Sequence, residues 1–209
     1  MLIGCRLLLT IAAAGLAGGA LAFAQSAAPS PRRNAPATEL SRIIAGYERF
    51  DRAEDPLASG QEGDAAALAR LPGITPADNA RRQAALEQFR ARLQRVSAQG
   101  LGPADRINLA FLRRVVADRL EGLRFDDGRL GFTNEGGPEQ LLAYMAESTR
   151  IRSAADADAY LSRLDAAATF IDDTTANVRR GVASGFVQSR ATTEVVLRQL
   201  KAQLARPAA

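Results

Sequence analysis

SAADADAYLSRLDAAATFIDDTTANVRRGVASG, residues 153–185, is the stretch that decides the fold class. Ser153-Ala154-Ala155-Asp156 is a capping box: the serine hydroxyl and the acid three residues later satisfy the free N–H groups of a helix start. Leu161, Leu164, Ala168, Ile171 and Val178 then return at helical intervals, so they are expected to face inward on one long helix. Gly181 and Gly185 mark its end, because glycine readily ends a helix.

Upstream the same logic repeats. Thr75-Pro76-Ala77-Asp78 is a second start signal, with Thr75 as cap and Pro76 at the first helical position. Leu86, Phe89, Leu93 and Val96 form its stripe, and Gly100 is the expected stop. Gly102-Pro103 opens the next helix, which carries two stripes. Ile107, Phe111 and Val115 make one, and Leu109, Leu112, Val116 and Leu120 make the other, so this helix is expected to be the most buried. Leu40, Ile43, Ile44 and Tyr47 give a first helix that ends at Asp55-Pro56, followed by a polar loop through Leu71-Pro72-Gly73.

Between the long helices the pattern changes. Leu123, Phe125, Leu130 and Phe132 alternate around Asp127-Gly128, and either a small two-stranded hairpin over 123–132 or an irregular loop fits. A short helix after Gly137-Pro138 carries Leu141, Leu142 and Met145. A last helix carries Val196, Leu197, Leu200 and Leu204. No fixed-period repeat occurs. The expected fold is all-α: an irregular bundle of about six helices in one domain spanning 38–206.

The N-terminus carries a targeting signal. Arg6 precedes an uncharged apolar stretch from Leu7 to Ala24 that ends in Ala22-Phe23-Ala24, the small-x-small pattern of signal-peptide cleavage. Residues 1–24 are therefore expected to be removed after Ala24, leaving no stable membrane span and placing the chain in the periplasm or outside the cell. Residues 25–37, rich in Pro, Ala and Ser, form a flexible lead-in. Removing 1–24 takes away one arginine and no acid, leaving 26 basic residues against 23 acidic ones, a net charge of +3. The arginine pairs are scattered and interleaved with acids, which argues against nucleic-acid binding.

Missing side chains narrow the chemistry. The sequence has no histidine, and its single cysteine, Cys5, lies in the signal. Neither a Ser-His-Asp nor a Cys-His nucleophile system is available, and a zinc site would need carboxylate and carbonyl donors alone. Glu48, Asp51, Glu54 and Asp55 cluster near the end of the first helix, and Asp172-Asp173 lies on the long one. Arg42, Arg49 and Arg52 surround the first group, so solvated ion pairs are the expected role. Gly136-Gly137 ahead of Pro138 reads as a turn. No catalytic, metal or cofactor-binding residue is assigned in this chain.

Several segments carry a resemblance. Tyr47-Glu48-Arg49-Phe50 with Asp55 to Gly60, Leu101 to Asn108, Leu120 to Phe125, Phe132-Thr133-Asn134, Ala155 to Leu164, and Asn177 to Val182 with Gly185 follow in an order and spacing similar to the bacterial DUF885 family, over residues 40 to 205. The resemblance implies a long, exported, mostly helical protein like a zinc-dependent peptidase. Its metal would sit on a His-Glu-x-x-x-x-His type motif beyond the region matched. This chain lacks that motif, so the resemblance makes it the N-terminal helical part of such a protein, inactive alone, with zinc implied only for the full-length family. The apolar stripe Val196, Leu197, Leu200, Leu204 would meet the missing C-terminal half or a second copy. The other reading is a stand-alone periplasmic binding or interaction module. A His-containing segment frequent in relatives is replaced by Gly137-Pro138-Glu139, and Ser189 stands where a proline is frequent. Carried over by residue, Arg163 and Asn177 are the two able to face the substrate cleft of the full-length enzyme. The preferred alternative is that Tyr160 packs in the core while Arg163 and Asn177 stabilise a helix pair.

Overall fold

The computed structural model describes residues 35–133 and 136–205. Residues 1–24, expected to be a signal peptide, and residues 25–34 of the expected lead-in lie outside the described residues. The described chain forms eight α-helices and one 3₁₀ turn, with no strand among the described residues: the fold is all-α.

Helix α1, Ala35–Glu54, starts three residues ahead of the expected domain boundary, and Ala37 is buried. It packs with α4, Pro76–Arg95, and α5, Pro103–Leu123, around the main core. The expected stripes meet there: Leu40, Ile43 and Tyr47 from α1, Leu86 and Leu93 from α4, Leu109, Leu112 and Val116 from α5. Burying each leucine contributes about 1.5–3 kcal/mol. The ring of Phe89 stands edge-on to Tyr47, with centroids 5.5 Å apart, and lies 5.6 Å from Phe50. Such aromatic pairs add about 0.5–1.5 kcal/mol to the area term.

The helix starts follow their capping residues. Asp78 N donates to Thr75 Oγ1 at 3.2 Å, and Thr75 N donates to Asp78 Oδ2 at 3.1 Å, closing the capping box of α4. The stop comes earlier than Gly100: α4 ends at Arg95, and Arg113 of α5 donates to the carbonyls of Leu93 and Val96 at 2.7 and 3.1 Å. That guanidinium takes carbonyls the ending helix leaves open.

The segment expected as a polar loop holds two short helices instead, α2, Pro56–Gln61, and α3, Ala65–Leu68. Each is started by an aspartate, with Asp55 accepting from Ala58 N at 3.0 Å and Asp64 from Ala67 N at 3.2 Å. Both are too short to show a helical period. The expected burial of α5 also fails on one side: Ile107 is 68% and Phe111 64% exposed. α5 packs mainly against α1 and α4, so Ile107 and Phe111 have no layer to meet, while Val115 of the same stripe still packs on the core.

There is no hairpin at 123–132. Leu123 is still the last residue of α5, and Asp127–Leu130 is a 3₁₀ turn entered through Asp126 in the left-handed region at φ 51°. With Leu123 and the turn both helical, no extended partner remains for pairing. Arg129 holds the turn, donating to Phe125 O at 2.9 Å and covering the Phe186 ring at 4.3 Å. Helix α6, Pro138–Ser148, buries Met145.

Helix α7 runs Ala154–Ser184 and ends on Gly185 at φ 73°, as its sequence predicts, but its rotation is the reverse of expectation. The buried face is Arg163, Ala167, Thr174, Asn177 and Gly181. The apolar face points to solvent, with Leu161 58%, Ile171 38% and Val182 66% exposed. The inward face is small or hydrogen-bonding, which lets α3 and the 3₁₀ turn approach. A Cβ on Gly181 would lie 2.7 Å from the carbonyl oxygens of Arg129 and Phe186. Leu161, Leu164, Ala168, Ile171, Thr175, Val178 and Val182 recur at the 3-4 spacing of a coiled-coil seam, exposed along most of its length, with Thr175 half-buried and Val178, as expected, turned partly inward beside Gly131. Helix α8, Arg190–Leu204, is capped by Ser189, whose Oγ accepts from Thr192 N at 3.2 Å. It buries Val196, leaves Leu200 half-buried, and exposes Leu197 and Leu204. Among the described residues no helix is long and apolar enough to cross a membrane.

Candidate functional site

The two residues carried over from the resemblance sit on the inward face of α7, some fourteen positions apart in the sequence. Arg163 is 2% exposed. Its Nη2 donates to Pro56 O at 3.2 Å and to Ala67 O at 2.7 Å, tying α7 to α2 and α3. Its Nε is buried with no acceptor, and no carboxylate among the described residues pairs with it. Burial lowers the pKa of the guanidinium, partly opposed by Tyr160. Gly60 makes room for the group: a Cβ there would stand 3.0 Å from Nη2.

Asn177 is 1% exposed. Its Nδ2 donates to Ile74 O at 2.7 Å, and its Oδ1 accepts from Arg180 Nη1 at 2.6 Å. Arg180 in turn pairs with Asp126, the residue that begins the 3₁₀ turn. Gly131 lies so close that a Cβ would meet Thr174 Cγ2 at 2.5 Å. Both residues thus fasten segments distant in sequence to one helix, and Tyr160 is half-buried and outside the main core.

Each also lines a cavity. A pocket of about 530 Å³ lies between α6, α7 and the 3₁₀ turn, with Ile74, Gly136, Tyr144, Phe170 and Asn177 in its wall. Thr133 N and Oγ1 donate to Gly136 O at 2.7 and 2.9 Å, so Gly136 does belong to a turn. A second pocket of about 410 Å³ lies between α2, α3, α6 and the start of α7, and Arg163 lines it. Gln61 Nε2 donates to Tyr144 Oη across it at 2.7 Å. Sequence reasoning did not find this second pocket. Its residues come from segments about a hundred positions apart, which no local pattern in the sequence connects.

Three acids of the first cluster are engaged in structure, and their partners are not the expected Arg42, Arg49 and Arg52. Asp51 pairs with Arg119 at 2.6 Å, and Asp55 caps α2. Glu54 accepts from Arg82 Nε at 2.7 Å and from Arg81 Nη2 at 3.1 Å. Burial pushes the Glu54 pKa up, but the hydrogen bonds from both arginines outweigh it and hold the carboxyl below its usual value. Among the described residues no three His, Cys, Asp or Glu side chains come together as a metal would require. The donor chemistry present does not fit the zinc implied by the resemblance, because structural and catalytic zinc take histidine or cysteine ligands in most sites.

An all-helical domain with a polar-faced central helix is the class these features define. The model of the family described as bacterial protein of unknown function, DUF885, matches residues 56–209, and the chain belongs to that family. The match begins at Pro56, so Tyr47 to Phe50, read as the opening of the likeness, lies ahead of it. No curated protein and no solved structure matches the chain.

Proposed function

We propose that this chain is the N-terminal helical portion of an exported protein resembling a zinc-dependent peptidase, and that it has no hydrolytic activity alone. The observation that carries this reading is the outward seam of α7. A 3-4-spaced apolar face left exposed is a surface suited to cover by another helix. Leu197 and Leu204 of α8 offer a second exposed apolar strip in the same unit. The role of this portion is then structural: it supplies a helical wall against which a metal-bearing part packs. Its own residues supply no zinc donors of the usual kind.

The test is hydrolysis of a fluorogenic peptide mixture by the purified chain, with and without added zinc. No turnover is expected under either condition, and turnover under either one contradicts the reading.

One observation favours a second reading, a stand-alone interaction module that pairs with itself. Asp158, Asp165 and Asp172 flank the seam of α7, and Arg198 and Lys201 flank the exposed leucines of α8, all at exposed positions. Two copies exchanging α7 and α8 would bring opposite charges together. A dimeric native mass that dissociates with salt supports this module. A monomeric mass at all concentrations removes it.

A further inference from the structure

The pocket of about 410 Å³ beside α2 and α6 contains a charge the fold leaves uncompensated. Arg163 has five N–H groups, and its Nη2 meets two backbone carbonyls. Its Nε is buried and meets no acceptor among the described residues. A buried guanidinium without a carboxylate is costly, because desolvating a charge takes several kcal/mol that a counter-charge would offset. An anion entering the pocket would supply the missing acceptor and counter-charge. Gly60, whose missing side chain clears the guanidinium, is consistent with a space kept open rather than collapsed.

The wall defines the anion. Arg150 and Arg152 add two positive charges, while Glu147 and Asp156 add two negative ones, leaving Arg163 as the unmatched charge. One Asp156 oxygen is already engaged by Arg152 N at 2.9 Å. A single unmatched positive charge beside two acids suits a monoanion and disfavours a dianion such as phosphate. Planar N–H groups suit a carboxylate. Tyr144 and Leu68 provide apolar surface next to the charge, and the volume is that of a small-ligand site. We propose that this pocket binds a small monocarboxylate, of the size of an N-blocked amino acid, with Arg163 donating to the carboxylate from the floor and Arg152 attracting it at the rim. The inference stands independently of the peptidase-like reading, since the site is built wholly from this chain.

The experiment is isothermal titration of the purified chain with N-acetyl-L-alanine, and with its amide as the uncharged counterpart. The acid is expected to bind with a Kd of about 1 mM or tighter, and the amide not at all. Arg163→Met should weaken binding about tenfold or more, the loss expected for one charged hydrogen bond. Should that variant fail to fold, Arg152→Gln decides, because this side chain makes no ion pair in the described structure and its loss leaves the packing intact. It should weaken binding a few-fold. Equal binding of acid and amide, unchanged affinity in Arg152→Gln, or no heat at about ten times that concentration overturns the proposal.

Discussion

Substituting alanine for Gly181 sets two effects of opposite sign against each other. Replacing glycine by alanine inside a helix is favourable by about 1 kcal/mol, because the unfolded chain loses conformational freedom. At Gly181 the new methyl would lie 2.7 Å from the carbonyl oxygens of Arg129 and Phe186. Ordinary contact needs about 3.4 Å or more, and both obstacles are backbone that cannot rotate away. Relief requires α7 to move off the 3₁₀ turn that it packs against, at a cost of about 1–3 kcal/mol for overpacking. The cost wins, by about 1 kcal/mol or somewhat more, which lowers the melting temperature by about 2–6 °C for a chain of this size. Gly122 is the control: it lies in α5, and a methyl group there would meet nothing within 4 Å. Gly122→Ala should raise the melting temperature by about 1–4 °C. Differential scanning calorimetry of both variants reads the two shifts. An unchanged or raised melting temperature for Gly181→Ala would refute the close packing of α7 on the turn.

Three further outcomes follow from single groups. Thr75→Ala removes the hydroxyl half of the α4 capping box and should cost about 0.5–2 kcal/mol in urea unfolding. Glu54 titrates below its usual value when folded, so the stability it adds is present above the unfolded pKa and is lost as pH falls through the folded one. Glu54→Gln should therefore destabilise the chain at neutral pH and make its stability fall less steeply on acidification, read as urea midpoints across the acid range. Ile171→Ser acts on the outward seam and should change the stability of the chain alone by no more than about 0.5 kcal/mol. A loss of several kcal/mol in that variant's urea midpoint would mean that Ile171 is in this chain's own core.

The helices were legible because their start signals are local. Thr75, Ser153 and the prolines at 76 and 103 each sit at the first turn they announce, and Gly185 closes the helix it follows. The apolar stripe of α1 also went where its period pointed, since Leu40 and Ile43 face a core built on both sides. The rotation of α7 was not legible. Period identifies which residues share a face, but not which neighbour is present to cover it, and here the covering layer meets Arg163 and Asn177 instead of Leu161 and Ile171. The two short helices after Asp55 escaped because one or two turns cannot show a period. The segment 123–132 fits a hairpin or an irregular loop equally well in sequence, because alternation over so few residues does not separate a strand pair from a helical turn. The pocket at Arg163 depends on Gly60, Tyr144 and Arg152, whose meeting is a fact of packing alone.

Under the proposed function, a further helical part of the same protein covers the apolar seam of α7. The most direct measurement is the DNA sequence immediately past the codon for Ala209. An open frame that continues into a helix bearing His-Glu and a second histidine is the predicted result. A stop codon followed by unrelated sequence would contradict the claim and leave self-association as the account of the exposed seam.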